Sequence, residues 1–369
     1  MITVLSVFGT RPEAIKMAPV VQRLQRHPGE IRSVVCSTGQ HREMLDQVLR
    51  LFEIRPDYDL NLMEPNQSLC RLTANLFWGL EPVLDAVRPD WVLAQGDTTT
   101  VLVASLAAYY KGARFGHVEA GLRTGDKRRP FPEEINRRLA DAVSDLYFCP
   151  TERARRTLLA EGYPEAAILV TGNTVIDALL DVASRPYDWS QGPLKDIPRD
   201  VPVVLVTAHR RESFGAAFRR LCEAIRDLAR RFGEVQFVYP VHLNPNVRAP
   251  VAEILSAQKN IHLLEPLDYL SLVHLMKRSA LILTDSGGIQ EEAPSLGVPV
   301  LVMRDTTERP EGVEAGVVKL VGTDRDAIVA EAARLLSDAD ARAAMASAAN
   351  PYGDGHAAER IVEALLTCS

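Results

Sequence analysis

Residues 2–16, Ile2-Thr3-Val4-Leu5-Ser6-Val7-Phe8-Gly9-Thr10-Arg11-Pro12-Glu13-Ala14-Ile15-Lys16, read as a strand, a turn and the start of a helix. Ile2 to Phe8 is a short, mostly apolar run rich in β-branched residues, as a strand buried on both faces requires. Gly9 permits a tight turn. Pro12 suits the first helical position, where its missing N–H would have no helical partner. The apolar run stops at Gly9, with no basic segment before it and no small-residue cleavage site after it. A first buried strand is therefore expected, not a signal peptide.

The same unit recurs on both sides of a break. Before it, strands are expected at Ser33–Ser37, Trp91–Gln95, Arg114–Val118, Leu146–Cys149 and Ile168–Thr171. Helices are expected at Pro12–His27, Glu43–Phe52, Leu69–Arg88, Thr99–Lys111 and Pro132–Ala142. Ser184 to Pro202 carries Pro186, Gly192, Pro193, Pro198 and Pro202 and reads as a linker or long loop. A second series follows, with strands at Val203–Thr207, Val235–Pro240, Ile261–Leu263, Ala280–Thr284 and Val300–Met303. Its helices are expected at Phe214–Phe232, Val247–Leu255, Tyr269–Ser279 and Ile289–Leu296. The tail from Ala327 to Leu366 is helical with a break at Pro351–Gly353, and its last piece is expected to pack back on the first domain. This βαβα rhythm predicts an α/β protein with two Rossmann-like, doubly wound parallel-sheet domains. One would span residues 1–171 plus 352–369, the other 172–351. Such sheets bind ligands at the carboxyl ends of their strands, so a cleft faced by both domains is the expected site.

Composition narrows the function. The chain has 369 residues, 47% hydrophobic and 24% charged, with a formal net charge of −6. No long run of one sign suggests a nucleic-acid-binding surface. An anionic ligand would be met by local Arg, Lys and helix N-termini. Cys36, Cys70, Cys149, Cys222 and Cys368 are scattered, odd in number and without C-x-x-C spacing, which suits a reducing cytoplasm and gives no thiolate metal site. No stretch of about 18 apolar residues exists, so no membrane span is expected.

Polar groups cluster where strands end. Arg11 and Lys16 flank the first helix start, a position that favours an anion. The turn matches neither G-x-G-x-x-G nor the P-loop, so no dinucleotide or nucleotide-triphosphate fingerprint is present. Asp97 closes VLAQGD and Glu119 closes FGHVEAG, with His117 and Arg123 beside them. Glu133 opens FPEEINRRL, and Arg137 lies one turn on. Singly, Asp97 reads as a helix cap and Glu133 with Glu134 as partners of the helix dipole; together at sheet ends they read as acid–base groups. In the second half His209, in VTAHRRESFG, and His242, in YPVHLNP, each follow a strand. His209, Arg210 and Arg211 in a row suit a diphosphate. In LTDSGGIQEE, Ser286, Gly287 and Gly288 let backbone N–H groups approach phosphate oxygens, and Glu292 could hold ribose hydroxyls. The run from Arg304 to Glu311 is too polar for packing alone.

As a set, the segments FGTRPEAIKMAPV, STGQHREMLDQVL, QGDTTT, GHVEAGLRTGD, PFPEEINRRLAD, TGNTVIDAL, TAHRRESFG, YPVHLNP and DSGGIQEEAPSLGVPVLVMRDTTERPEG resemble the non-hydrolysing UDP-N-acetylglucosamine 2-epimerases of bacteria. They run from the first strand to about residue 316. The resemblance implies a GT-B-like two-domain fold, a homodimer, and no redox cofactor or metal. It implies catalytic roles for Asp97, Glu119, Glu133 and His209. It places Arg11, Lys16, Arg137, Leu267, Ser286, Gly287, Gly288, Glu292 and Arg309 against the nucleotide sugar. It also implies an activating site for a second UDP-N-acetylglucosamine, to which Gln40, His41, Arg210 and His242 correspond. Glu43 and Asn66 depart from the pattern there, standing where some relatives carry Gln and Arg.

The implied chemistry suits these residue types. The C2 proton lies beside an acetamido group, not a carbonyl, so direct deprotonation near neutral pH is not workable. Expelling UDP from C1 while removing the C2 proton gives a 2-acetamidoglucal, and UDP adds back after a proton reaches the other face. That route needs stabilisation of the leaving diphosphate and acid–base groups on both faces of C2. Four other readings compete: a hydrolysing epimerase, a 2-epimerase of a modified sugar of the diacetamido uronic acid type, a UDP-sugar glycosyltransferase, and a non-catalytic sensor.

Overall fold

The computed structural model describes residues 1–39, 42–64 and 67–368, with the backbone alone for residues 42 and 43. The chain divides into two compact units, Met1–Ala178 with Gly353–Ser369, and Leu179–Tyr352.

The first unit holds strands β1 (Ile2–Phe8), β2 (Ile31–Ser37), β3 (Tyr58–Asp59), β4 (Trp91–Gln95), β5 (Arg114–Val118), β6 (Leu146–Cys149) and β7 (Ile168–Val170). Among the described residues they form one seven-stranded sheet, in the order β3-β2-β1-β4-β5-β6-β7, with every neighbouring pair parallel. Its connections are α1 (Arg11–Gln25), α2 (Arg42–Leu51), α3 (Leu69–Val87), α4 (Thr99–Lys111), α5 (Glu133–Ala142) and α6 (Glu152–Ala160), followed by α7 (Thr174–Ser184). Val4, Leu5, Val7 and Phe8 are all buried, so β1 reads as a continuous apolar run because helices cover both faces of the sheet. Helix α1 starts where it does because the Thr10 hydroxyl accepts from the Glu13 N–H while the Glu13 carboxylate accepts from the Thr10 N–H.

The second unit repeats the plan with β8 (Val203–Thr207), β9 (Gln236–Pro240), β10 (Ile261–Leu264), β11 (Leu281–Thr284), β12 (Val300–Val302) and β13 (Val318–Leu320). These form a six-stranded parallel sheet ordered β10-β9-β8-β11-β12-β13. Helices α8 (Ala216–Arg231), α9 (Pro245–Leu255), α10 (Tyr269–Arg278), α11 (Gly287–Glu292), α12 (Pro310–Glu314), α13 (Arg325–Ser337) and α14 (Ala339–Ala346) accompany it. Its core joins Val204 and Val206 of β8 to Phe218, Leu221, Ile225 and Leu228 of α8. Those four recur at three- and four-residue spacing, which makes the buried stripe of a surface helix.

The last helix, α15 (Ala357–Thr367), belongs to the first unit, where it packs on α1. Its first N–H groups, those of Ala357 and Ala358, donate to the Asp177 carboxylate at 3.2 and 2.8 Å, so an acidic group sits at the positive helix end.

Several expectations need correction. The units meet inside α7, at Ala178–Leu179 and not after residue 171, because α7 runs unbroken through that point. The second boundary is Tyr352–Gly353. The Pro-rich stretch after α7 is no loose linker. Leu194 and Ile197 are buried, the Tyr187 hydroxyl donates to Ser271 Oγ at 3.1 Å, and the Tyr187 ring stacks on His274. Helices α6 and α7 and the short strands β3 and β13 carried no expectation; β3 has two residues and β13 three, too short for a period to register. Helix α11 starts at Gly287, ahead of the expected Ile289, and passes at Ala293 into a 3-10 turn holding Pro294.

Candidate active site

Both sheets reverse direction next to their first strand, between β1 and β4 and between β8 and β11. At such a switch point the loops after the two central strands diverge and leave a crevice at the carboxyl edge. Most of the polar residues singled out in the sequence lie at these two places.

In the first unit, Gly9 and Thr10 follow β1, and Gly96, Asp97 and Thr98 follow β4. Glu13 links them. Its buried carboxylate accepts from the Gly9 N–H at 2.9 Å and the Thr10 N–H at 2.7 Å, and from the Thr98 hydroxyl. Burial raises its pKa, against these hydrogen bonds, which lower it. No larger residue fits at Gly9, since a Cβ there would lie 2.0 Å from Thr38 Oγ1.

Glu119 follows β5 in a left-handed backbone conformation, φ 68°. For a residue with a Cβ this costs roughly 1–3 kcal/mol and persists only where the surroundings enforce it. Here Lys16 Nζ donates to both carboxylate oxygens at 2.8 and 2.7 Å, Gln95 Nε2 donates to Oε2, and the Glu119 N–H donates to the Phe148 carbonyl at 2.9 Å. Lys16, expected against the nucleotide sugar, thus forms an ion pair with a candidate catalytic carboxylate.

Asp97 is held by Arg137, whose Nη2 donates to Oδ2, and its carbonyl accepts from Asn136 Nδ2 at 2.9 Å. The other arm of Arg137 donates to Glu134 at 3.1 Å. Glu134 is fully buried and also accepts the N–H groups of Thr124 and Gly125 at 3.0 and 3.3 Å, which makes it a loop anchor. Its neighbour Glu133 differs. Glu133 Oε2 is shielded from solvent and has no hydrogen-bond partner among the described residues. Arg11 is the half-buried first residue of α1.

Behind Asp97 lies His117 on β5, fully buried. Its Nδ1 donates to Asp141 Oδ1 at 2.6 Å and its Nε2 donates to the Gly96 carbonyl at 2.7 Å. Both nitrogens face acceptors, so both carry protons. Burial works against the charge, but Asp141 and the Gly96 carbonyl outweigh it and raise the His117 pKa. Asp141 is lowered in turn: burial opposes its charge, while His117 and Arg123 favour it. Arg123 completes the network, 2.7 Å from Asp141 Oδ2 and 2.7 Å from Glu161 Oε2.

In the second unit, His209 and Arg210 follow β8, and Asp285 to Gly288 follow β11. The His209 ring stacks on His242, with centroids 5.2 Å apart and planes 12° from parallel. Burial lowers the His209 pKa; Asp285 opposes this, and His242 and Arg210 add to it. Ser286 occupies the N-cap position of α11 without a side-chain capping bond, and its N–H donates to Thr284 Oγ1 at 2.9 Å. Gly287 sits beside Arg210, whose Nη2 would be 3.5 Å from a Cβ there. Gly288 precedes Glu292 by one turn, and Glu292 accepts from the Tyr269 hydroxyl at 3.0 Å. Arg309 Nε donates to buried Glu291, and Leu267 is buried. Arg304 grips Glu308 with two parallel bonds of 2.9 and 3.0 Å and also meets Glu212 at 2.8 Å. Gln40, His41 and Asn66 lie outside the described residues, as does the Glu43 side chain.

Glu13, Asp141 and Asp285 carried no expectation of a role. Capping-box spacing, T-x-x-E from Thr10 to Glu13, could have found the first. Nothing in the local pattern marks the other two, whose partners are distant in the chain.

Fold and side chains define a two-domain α/β enzyme, with candidate acid–base carboxylates after β4 and β5 and at the start of α5 in one unit, and an imidazole beside a glycine-rich turn at the switch point of the other. The family model for UDP-N-acetylglucosamine 2-epimerase matches residues 22–366. The UDP-N-acetylglucosamine 2-epimerase of Escherichia coli K12 is 56% identical over 370 aligned positions, 98% of each chain. The solved UDP-GlcNAc 2-epimerase of Neisseria meningitidis bound to UDP-GlcNAc is 51% identical, with a TM-score of 0.89 over 99% of this chain and 100% of that one. The glycotransferase of kitacinnamycin, 13% identical with a TM-score of 0.64, shares the fold alone. The chain belongs to the UDP-N-acetylglucosamine 2-epimerase family and is an isomerase.

Proposed function

We propose that the chain interconverts UDP-N-acetylglucosamine and UDP-N-acetylmannosamine by anti- or syn-elimination of UDP, through a 2-acetamidoglucal, and re-addition. The C2–H bond breaks and its proton passes to an enzyme base. Its electron pair becomes the C1=C2 bond, and the C1–O bond breaks with its pair remaining on the diphosphate. Return of a proton to the other face of C2, with UDP re-adding at C1, completes the inversion. The observation that carries this reading is a set of three carboxylates in different settings in one unit, two following the parallel strands β4 and β5 and one opening α5. Glu119 is paired with Lys16 and Asp97 with Arg137, whereas Glu133 keeps a buried oxygen uncommitted among the described residues. Acid and base groups in distinct environments are what transfer at two faces of one carbon requires. His209, Arg210 and the turn of Ser286, Gly287 and Gly288 would receive the diphosphate, with Arg11 beside it, and Glu292 the ribose. Leu267 and Arg309 complete the nucleotide side. No redox cofactor or metal takes part in this scheme.

Two further assignments belong to the same reading. A second UDP-N-acetylglucosamine acting as activator would use Arg210 and His242, with Gln40 and His41. Strictly hyperbolic kinetics in the reverse direction, unchanged by added UDP-N-acetylglucosamine, would remove that assignment. The chain acts as a homodimer. Helix α4 packs against α3 and α5, and the three carry exposed Trp78, Tyr109, Tyr110, Ile135 and Leu139. Exposed apolar side chains gathered on neighbouring helices are a face that a second copy of the chain would cover. A cytoplasmic location suits five free cysteines; no helix among the described residues is long and apolar enough to cross a membrane.

Proton NMR of UDP-N-acetylglucosamine with the protein in deuterated buffer, without NAD and with EDTA, tests the function. UDP-N-acetylmannosamine carrying deuterium at C2 is the expected product. Free UDP with N-acetylmannosamine as main products would replace this reading by a hydrolysing one. Saturable binding without turnover would point to a modified sugar.

A further inference from the structure

Asp285 has no part in the scheme above, yet it is the most enclosed charged group of the second switch point. It is 0% exposed. Its Oδ2 accepts the backbone N–H groups of His209 and Arg210 at 2.7 and 2.8 Å. Its own N–H donates to the Thr207 carbonyl at 2.9 Å, and the hydroxyls of Thr207 and Thr284 bridge the same strand ends at 2.6 Å. One carboxylate oxygen is thereby satisfied. The other, Oδ1, is closed to solvent and has no hydrogen-bond partner among the described residues. Facing it is Nδ1 of His209, at 3.7 Å. A buried carboxylate oxygen without a partner is costly, on the order of 1–3 kcal/mol, and such groups persist where a function needs them.

We propose that Asp285 is the positioning residue of His209: Oδ1 takes the Nδ1–H of the imidazole, fixes the ring in that tautomer, and leaves Nε2 to meet the diphosphate. The inference rests on the role given to His209 under the proposed function. Closing 3.7 Å to a hydrogen bond needs a shift of about 1 Å. Stacking on His242 holds the plane of the His209 ring, so turning within that plane is the motion left to it. Both nitrogens then have defined work. Nδ1 stays with Asp285. Nε2, when protonated, gives its proton to the diphosphate oxygen as the C1–O bond breaks, and takes it back on re-addition. A buried carboxylate that holds a histidine tautomer is worth far more to turnover than to ground-state binding.

The test begins with the unmodified chain. Nitrogen-15 NMR of labelled histidine across pH 5–9 should show neutral His209 as the Nδ1–H tautomer. In Asp285→Asn the amide presents N–H groups to Nδ1, so the Nε2–H tautomer should dominate. The groups facing His209 are Asp285, Arg210 and His242, and only Asp285 favours the imidazolium; the His209 titration in the variant should therefore move to lower pH. With UDP-N-acetylglucosamine, kcat should fall on the order of 10²-fold or more, while KM stays within about threefold. In a His209→Asn background, Asp285→Asn should cost nothing further, because the effect runs through the ring. An unmodified chain with His209 in the Nε2–H form would overturn the proposal, as would an equal loss in both backgrounds. Full activity of His209→Asn alone would instead sink the role of His209, and the tautomer measurement would still decide what Asp285 does to the ring.

Discussion

Replacing His117 by Leu removes one member of a buried charge network and tests whether the ground beneath Asp97 is built on an imidazolium. The ring donates to Asp141 at 2.6 Å and to the Gly96 carbonyl at 2.7 Å, and neither partner reaches solvent through it. Removing one partner of a buried ion pair costs about 3–5 kcal/mol. Asp141 retains Arg123 at 2.7 Å, which favours the lower end, about 3 kcal/mol. For a unit of this size each kcal/mol moves Tm by about 2–4 °C, so the loss should be roughly 6–12 °C. The pH dependence has a definite sign. The folded pKa of His117 is raised above 6.5, so the native state binds the extra proton. Its stabilisation is complete below about 6.5 and drains as pH rises through the folded pKa. Thermal melts of both proteins from pH 5 to 9 should show a gap that is widest at the acid end and narrows on the alkaline side. A gap that widens with pH, or a variant melting within about 2 °C of the parent at pH 6, would refute the imidazolium.

Three further outcomes are expected. Glu133→Gln should lower kcat about 10²- to 10⁴-fold with little change in Tm, whereas Glu134→Gln should lose about 1–3 kcal/mol of stability, because it unsettles three donors at a fully buried carboxylate; parallel assays and melts separate the two. Glu308 is set by burial, which opposes its charge, and by Arg304, which prevails and lowers its pKa to about 2. Its stabilisation is present above 4.5 and lost as pH falls through about 2, so the Tm gap between parent and Glu308→Gln should be wider at pH 7 than at pH 3. Trp78→Asp combined with Tyr110→Asp should give a monomer by light scattering after size exclusion; an unchanged mass would move the dimer surface elsewhere.

Much of the architecture was legible in the chain, because strands buried on both faces are continuous apolar runs and the covering helices carry a 3.6-residue stripe. The second unit's sheet, β8 to β12, was readable strand by strand. Among the elements that escaped, β3 and β13 have too few residues to show a period, α6 and α7 carried no expectation, and the division between the units falls inside α7. At the site, strand-end position picked out Asp97, Glu119, His209 and the turn at Ser286, all of which follow the carboxyl ends of parallel strands. It could not tell Glu133 from Glu134. The two are adjacent and chemically alike, and only packing decides that Glu134 anchors a loop while Glu133 keeps an oxygen uncommitted among the described residues.

The sequence by itself determined which residue types end which strands, since local pattern fixes strand, turn and helix. Only the tertiary structure decided what those residues meet. Lys16, on α1, reaches Glu119 after β5, and Asp141 reaches His117 across a strand–helix pair. Asp285 reaches the backbone of His209 and Arg210 because β11 lies beside β8 in the sheet. Charge and tautomer depend on such partners at hydrogen-bond distance, and the partners lie far apart in the chain.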